Sequence, residues 1–264
     1  MITSFQNPVV KRIRKLRQKK WRVKEEACFV EGVRPVGTAI EAGWDVEAII
    51  WCELLTSEYG RQLVEQHDNA IQVSNEVFGA IAERENPVGL GAIVRTHVGE
   101  LERTKAQSHE EIQKVFVGLV GVSDPGNLGT ILRTVDAAVG SDGVVILIGD
   151  TVDPFHPAVI KASMGAVFCV DVVRSTAEDV VAWARENEIR IVATSARGAA
   201  DFREAVYGER VLLLMGSERE GLSAGMLDAA DERVFVPMAG VSSSLNLAVA
   251  TGVLLYEIES HMKM

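Results

Sequence analysis

Cysteine is scarce. Three residues in 264, Cys28, Cys52 and Cys169, lie far apart and form neither a Cys-x-x-Cys pair nor a zinc-ligand spacing. This excludes a disulfide framework and a structural zinc. The expectation is buried free thiols in a reducing cytoplasm, with no metal. No apolar run approaches the roughly 18 residues of a membrane span, and the basic N-terminus lacks the apolar stretch of a signal peptide. A cytoplasmic protein without a membrane partner is therefore expected. Internal repeats and low-complexity tracts are also missing.

The usual nucleotide fingerprints are missing too. Gly121 and Gly126 have the spacing of a phosphate loop, but Asn127 and Leu128 stand where Lys and Ser or Thr belong, and no Gly-x-Gly-x-x-Gly follows a strand. Gly221-Leu222-Ser223-Ala224-Gly225 has the spacing of a hydrolase nucleophile elbow. An elbow serine sits directly at a strand-to-helix turn, whereas here the strand ends near Gly216. The only downstream histidine is His261, close to the terminus. A serine hydrolase stays as a competing hypothesis that an active-site serine reagent would test.

Acidic residues are missing from one segment only. Residues 1–24 carry nine Lys and Arg and no Asp or Glu, while the rest of the chain carries 18 basic against 37 acidic residues. The net charge of −10 thus hides a cationic end on an acidic body. Such asymmetry points to a polyanion contacted through its phosphates. The competing reading is a solvated basic helix without a partner. Phe5 and Trp21 flank the run and are able to pack or stack. The candidate RNA-binding residues are Lys11, Arg12, Arg14, Lys15 and Lys19.

What is present is a regular alternation of helix and strand signals. Asn7 and Pro8 predict a helix over 7–20. Strands follow in "ACFVEG", "VEAIIWC", "IQVS" and "GLGAIVRT", with helices between them, giving a small α/β domain over residues 1–96. Residues 97–113 are polar, lack an apolar period and read as a linker. From 114 to 264 the strands "KVFVGLVG", "GVVILIG", "AVFCVDVV", "RIVATSA", "RVLLLMG" and "RVFVPM" alternate with helices, among them "DFREAVYG" and the C-terminal one. Continuous Val, Ile and Leu in such strands predict a parallel sheet covered on both faces. Ligands of such sheets bind beyond the carboxyl ends of the strands.

Three polar clusters follow strands. In "GVSDPGNLGTILRT", Asp124-Pro125-Gly126 makes a turn, Asn127 is able to cap the next helix, and Arg133 lies off its apolar stripe. "LLLMGSEREGLSAG" holds Glu218 and Glu220 over a strand end, with Gly216 and Gly221 allowing close backbone approach to a ligand. In "VPMAGVSSSLNLAVATG", Ser242, Ser243, Ser244 and Asn246 open a helix that is apolar almost all round. A buried helix start of this kind needs a partner for its free N–H groups. That partner is either a serine cap or a ligand.

Together the clusters resemble the SpoU/TrmH family of RNA ribose 2′-O-methyltransferases, of the SPOUT class. Asn127 and Arg133 match its first motif, "GSEREGL" its second, and "VPMAG" followed by "SSLNLAVATG" its third. "IKASMGAVF" looks like the stretch between the first two. Ser243 and Ser217 replace the commoner Glu and Asn. "FVEGVRPVGTAIEAG" is similar to the family's ribosomal-protein-like substrate-binding domain.

The resemblance implies a C-terminal SPOUT domain with a trefoil knot. It implies an S-adenosylmethionine site at Thr194, Met215, Gly216, Val236, Met238, Ser244 and Leu245. It implies methyl transfer to a ribose 2′-hydroxyl by Arg133, with Asn127, Glu218, Ser244 and Asn246 fixing the geometry. A homodimer follows, because the family's arginine works across a dimer interface. The substrate expected is rRNA. A tRNA methyltransferase and a non-catalytic RNA-binding protein of the same fold are the alternatives.

Overall fold

The computed structural model describes residues 1–55, 57–101, 115–195 and 200–263. Residues 102–113 of the expected linker lie outside the described residues. The chain forms two compact units, Met1–His97 with Asp153–Cys169, and Val98–Val152 with Val170–Met264. No helix of the described residues is long and apolar enough to cross a membrane.

The first unit is built on strands β1 (Ala27–Glu31), β2 (Val46–Trp51), β3 (Ala70–Gln72) and β4 (Leu90–Arg95), in the order β1-β4-β2-β3. β4 runs antiparallel to both neighbours, and β2 pairs with β3 in parallel. The helix expected over 7–20 is two helices, α1 (Pro8–Leu16) and α2 (Lys19–Glu25). Asn7 caps the first as expected, accepting from the Val9 amide. Val10, Ile13 and Leu16 bury one face of α1 at helical spacing, and farther along the unit lie α4 (Glu58–Gln66) and α5 (Asn75–Ile81).

The break between the helices has a cause that lies in one side chain. The Arg22 Nη1 donates to the carbonyls of Leu16 and Arg17, at 2.9 and 2.7 Å, which are freed where α1 ends. Its Nε donates to Asp153 at 2.7 Å, and the arginine is 3% exposed. Asp153 opens the segment that leads to helix α7 (Pro157–Ser163), which packs on β1. His156 caps α7 through Nδ1, which accepts from Ala158. Burial, reinforced by the Arg22 charge, holds the imidazole below its ordinary range, so that nitrogen stays an acceptor.

Gly165 closes this segment at φ +97, where a Cβ would lie 3.1 Å from the Pro35 backbone and from Thr38 of helix α3 (Val33–Glu41). The "SMGA" stretch therefore needs glycine for packing. A cut near residue 97 would leave residues 153–169 without the surface they pack on.

The second unit is an eight-stranded sheet. Its strands are β5 (Gly99–Glu100), β6 (Val115–Val120), β7 (Gly143–Ile148), β8 (Asp171–Ser175), β9 (Arg190–Thr194), β10 (Ala200–Asp201), β11 (Val211–Met215) and β12 (Glu232–Phe235). Their order is β10-β12-β9-β11-β6-β7-β8-β5, and every ladder is parallel. Phe116, Ile146, Leu212 and Leu214 pack with Val180 and Trp183 of helix α8 (Ala177–Glu186) in one core cluster. Their neighbours in sequence, Val117, Leu147 and Leu213, are equally buried. Helix α6 (Pro125–Val139) packs on β7 and on α10 (Leu247–Met262). Both faces are thus covered, as the continuous apolar strands predict.

Four expectations need correction. "AVFCVDVV" is not one strand: Ala166–Phe168 is a 3₁₀ turn after Gly165, and β8 begins at Asp171. "DFREAVYG" is not a helix. Asp201 accepts from the backbone and the side chain of Arg203, an Asx-type turn that competes with helix. Gly99 and Glu100, read as linker, pair with Val173 and Arg174. Cys28 and Cys52 are buried free thiols, but Cys169 is exposed. Burial pushes the Cys28 thiol far above its ordinary range, so it stays protonated.

Arg22→Ala leaves Asp153 buried without its counter-charge and uncaps α1. We expect a loss of about 3–5 kcal/mol in urea unfolding. Replacing both partners by apolar residues should cost much less. Equal losses for the single and double variants would show that the pair does not hold this unit together.

Candidate active site

The three polar clusters meet at the carboxyl ends of the central strands of the second unit. Beside the second and third of them lies a cavity of about 980 Å³, the size range of a small-molecule site. Thr194 ends β9, Met215 ends β11 with Gly216 directly after it, and Val236 and Met238 follow β12; all five line it, with Ser244 and Leu245 from the approach to α10. Leu222, Leu227 and Leu254 give it an apolar wall. Leu254 lies about two turns into α10. A helix apolar all round does not reveal which residue faces a cavity.

The loop after β11 is held by its own backbone. Ser217 and Gly221 form a bridge, the Ser217 carbonyl accepts from the Gly221 amide, and the Ser217 hydroxyl accepts from the Glu220 amide. A Cβ on Gly216 would lie 2.3 Å from the Gly221 carbonyl carbon. Gly216 is therefore required by the loop's own closure, and it also lines the cavity.

Ser223 caps helix α9 (Ala224–Ala229), accepting from Met226 at 3.4 Å. It is a helix cap after the loop, with no elbow around it, and the hydrolase hypothesis loses its nucleophile.

Two helix caps set the direction in which two asparagines bond. Asp124, not Asn127, caps α6, accepting from the Asn127 amide at 2.7 Å. Asn246, not a serine, caps α10: its Oδ1 accepts from Ala248 at 2.9 Å and Val249 at 3.3 Å. Those amides can only donate, so the Asn246 Nδ2 must point the other way. It donates to Asn127 Oδ1 at 2.9 Å. Asn127 in turn donates through Nδ2 to Glu218 Oε1 at 2.6 Å. One residue from each cluster thus joins a directed chain on the cavity side of the sheet. Ser242, Ser243 and Ser244 are exposed, so the helix start is open to solvent and to the cavity, and not buried as expected.

Arg133 does not join this chain. It is exposed on α6, about one and a half turns beyond Asn127. Among the described residues it pairs with no carboxylate. On α10, Val249, Val253 and Tyr256 form an exposed apolar stripe at i, i+4 and i+7. The helix is therefore not buried all round.

The five candidate RNA-binding residues lie on α1 and α2 of the first unit. Lys11, Arg14, Lys15 and Lys19 are exposed. Arg12 is engaged inward, with Nε 2.6 Å from Glu25 and Nη1 2.5 Å from Glu47. Its hydrogen bond holds the Glu47 carboxyl below the usual range. Among the described residues no group of three His, Cys, Asp or Glu is placed to hold a metal.

Comparison with known proteins accounts for both units. The SpoU rRNA Methylase family matches residues 114–256, and the MRM3-like substrate binding domain matches residues 7–92. The chain is 32% identical to the 23S rRNA (guanosine(2553)-2′-O)-methyltransferase RlmP of Bacillus subtilis, over 97% of this chain and 98% of that one. It is 30% identical to a 23S rRNA (uridine(2479)-2′-O)-methyltransferase of Streptomyces viridochromogenes, over 89% and 83%. The AdoMet-bound rRNA methyltransferase from Sinorhizobium meliloti superposes with a TM-score of 0.87 at 35% identity, covering 99% and 97% of the two chains. With three motifs joined by hydrogen bonds beside one cavity, and a match over more than half its length, the chain belongs to the SpoU rRNA Methylase family.

Proposed function

We propose that this chain transfers the methyl group of S-adenosylmethionine to a ribose 2′-hydroxyl of ribosomal RNA. The observation that carries the reading is the directed chain Asn246–Asn127–Glu218 beside a cavity at the strand ends. The cavity fits the cofactor chemically. Leu222, Leu227 and Leu254 suit a purine, while hydroxyls and the Glu218 and Glu220 carboxylates suit charged and hydrogen-bonding ends. Thr194, Met215, Gly216, Val236, Met238, Ser244 and Leu245 would hold it. When bound, S-adenosylmethionine supplies a methyl on a sulfonium, so that the ribose oxygen gains the O–CH₃ bond as the S–CH₃ bond breaks and the hydroxyl proton leaves to water.

The chain's own task is then positioning and charge. The α10 amides orient Asn246, Asn246 orients Asn127, and Asn127 holds one oxygen of Glu218 as an acceptor. Ser244 stands at the same rim. Arg133 is always protonated. Its role is to orient a substrate phosphate and stabilise the developing alkoxide, not to act as a plain base. It works from a second copy of the chain. The exposed stripe Val249, Val253 and Tyr256 supports such a dimer, as does an Arg133 with no described ion pair. The cavity loops and α10 are read as threaded in the trefoil knot of the SPOUT class.

Ribosomal RNA is favoured over tRNA by the match to a substrate-binding domain and by relatives named for 23S rRNA. The test is to map 2′-O-methyl sites in RNA from cells with and without the gene, and with purified protein and labelled cofactor. A site lost from tRNA and none from rRNA would overturn the substrate; no ribose methyl on any RNA would overturn the reaction.

Three outcomes are expected. Asn246→Asp keeps a good helix cap but replaces the donor to Asn127 by an acceptor. It should lower methyl transfer at least tenfold while unfolding changes little. A variant as active as the parent would show that the directed chain is dispensable.

Arg133→Ala should abolish turnover and leave cofactor binding within a few-fold, read by calorimetry beside single-turnover assays. Lost cofactor affinity with normal turnover at saturation would remove Arg133 from the reaction.

Replacing Lys11, Arg14, Lys15 and Lys19 by Gln should weaken RNA of any sequence and flatten the plot of log affinity against log salt. Turnover at saturating RNA should survive. An unchanged slope, with only cognate RNA weakened, would mean that this segment reads sequence or shape.

A further inference from the structure

The nine cations of residues 1–24 fall into two sets. Three arginines serve the fold: Arg12 on Glu25 and Glu47, Arg17 on Glu83 at 2.8 Å, and Arg22 on Asp153. Their planar forks suit fixed carboxylates and carbonyls. The other six, Lys11, Arg14, Lys15, Lys19, Lys20 and Lys24, are exposed, and among the described residues none is paired with a carboxylate. The surface charge is thus mostly lysine.

Aromatic rings stand inside this charge. Phe5 is 42% exposed, with the Arg14 guanidinium 6.0 Å from its ring centre. Trp21 is half-buried, with Lys15 Nζ at 4.6 Å and Lys24 Nζ at 5.1 Å from its ring centre. Trp21 is outside the core cluster that takes Val10, Ile13 and Leu16. Val23, two residues on, is exposed. A tryptophan left at the surface and framed by ammonium groups calls for a ligand with a flat π face and negative charge beside it. An exposed cation–π contact is weak. A flat ligand is therefore able to displace the ammonium, which remains within reach of an adjacent phosphate.

We propose that Trp21, with Phe5, stacks on unpaired nucleobases of the RNA substrate, while Arg14, Lys15 and Lys24 hold the flanking phosphates. A duplex offers these lysines its backbone but keeps its bases stacked on each other. Only a loop, bulge or single strand offers a free π face, and stacking of this kind tolerates any base. The site deepens the RNA reading above and rests on it for the identity of the ligand.

The test uses the full chain with a short single-stranded RNA and the duplex of the same sequence. Trp21→Ala should weaken the single strand about tenfold and leave the duplex within twofold. Trp21→Phe should restore most of the loss. Indole emission that is present in the parent and absent in Trp21→Phe should be quenched by the single strand alone. Lys11→Gln with Lys19→Gln should weaken both RNAs alike. Thermal unfolding of each variant confirms that it is folded.

The site is overturned if Trp21→Ala leaves single-strand affinity unchanged, if it weakens both RNAs equally, or if the parent binds neither. Normal stacking without methyl transfer would instead count against the proposed function and leave the site standing.

Discussion

The direction of one amide governs the candidate site. The first free N–H groups of α10 can only donate, so they fix the Asn246 carbonyl on themselves. The opposite end of that amide must then donate, and Asn127 has to present its carbonyl. The Asn127 amide is thereby turned to Glu218, which accepts. Reversing either amide would set donor against donor at one end and acceptor against acceptor at the other. The helix start, rich in hydroxyls yet leading into an apolar helix, makes sense as the anchor of this chain. The hydroxyls remain open toward the cavity, and the asparagine does the capping.

The sheet makes that arrangement possible. β6, β9 and β11 are neighbours in space although separated in sequence, so the loops after them converge. Strand order does what no local motif does: Asn127 and Glu218, which are 91 residues apart, come into hydrogen-bond contact. The buried strands beneath supply rigidity, because each buried Val, Leu or Ile contributes about 1.5–3 kcal/mol. The rim above is left polar and solvent-exposed. A small site held on a stiff support is what positioning catalysis requires.

Much of this was legible in the sequence, and most of the exceptions share a physical origin. The parallel sheet was readable because strands buried on both faces must be apolar throughout. The cavity residues were readable because they follow such strands. Residues 201–208 misled because their helical spacing is overridden by one carboxylate turning onto Arg203. Residues 166–170 misled because Gly165 answers to packing against α3, a partner far away in sequence. The break in the first helix depends on Arg22 and Asp153, which are 131 residues apart. Arg12 looks like its lysine neighbours until Glu47 is brought beside it. Apart from the local turn at Asp201, a partner distant in sequence decided in each case, and such partners leave no periodic trace.

The two named relatives modify a guanosine and a uridine. A ribose 2′-hydroxyl is the same group on every nucleotide, so a site built to position that hydroxyl has no means of telling one base from another. Selection has to come from elsewhere on the chain. On the proposed reading the first unit would supply it: surface lysines would neutralise phosphates without regard to sequence, and the rings of Trp21 and Phe5 would distinguish an unpaired base from a paired one. Phosphate contacts alone would bind any RNA, and their strength would fall steeply with salt. Adding a requirement for unpaired bases restricts binding to loops and bulges. In a folded RNA these are few, and each has a defined distance to its neighbours. Such a division would let the chemistry stay constant while the choice of nucleotide is made by RNA shape.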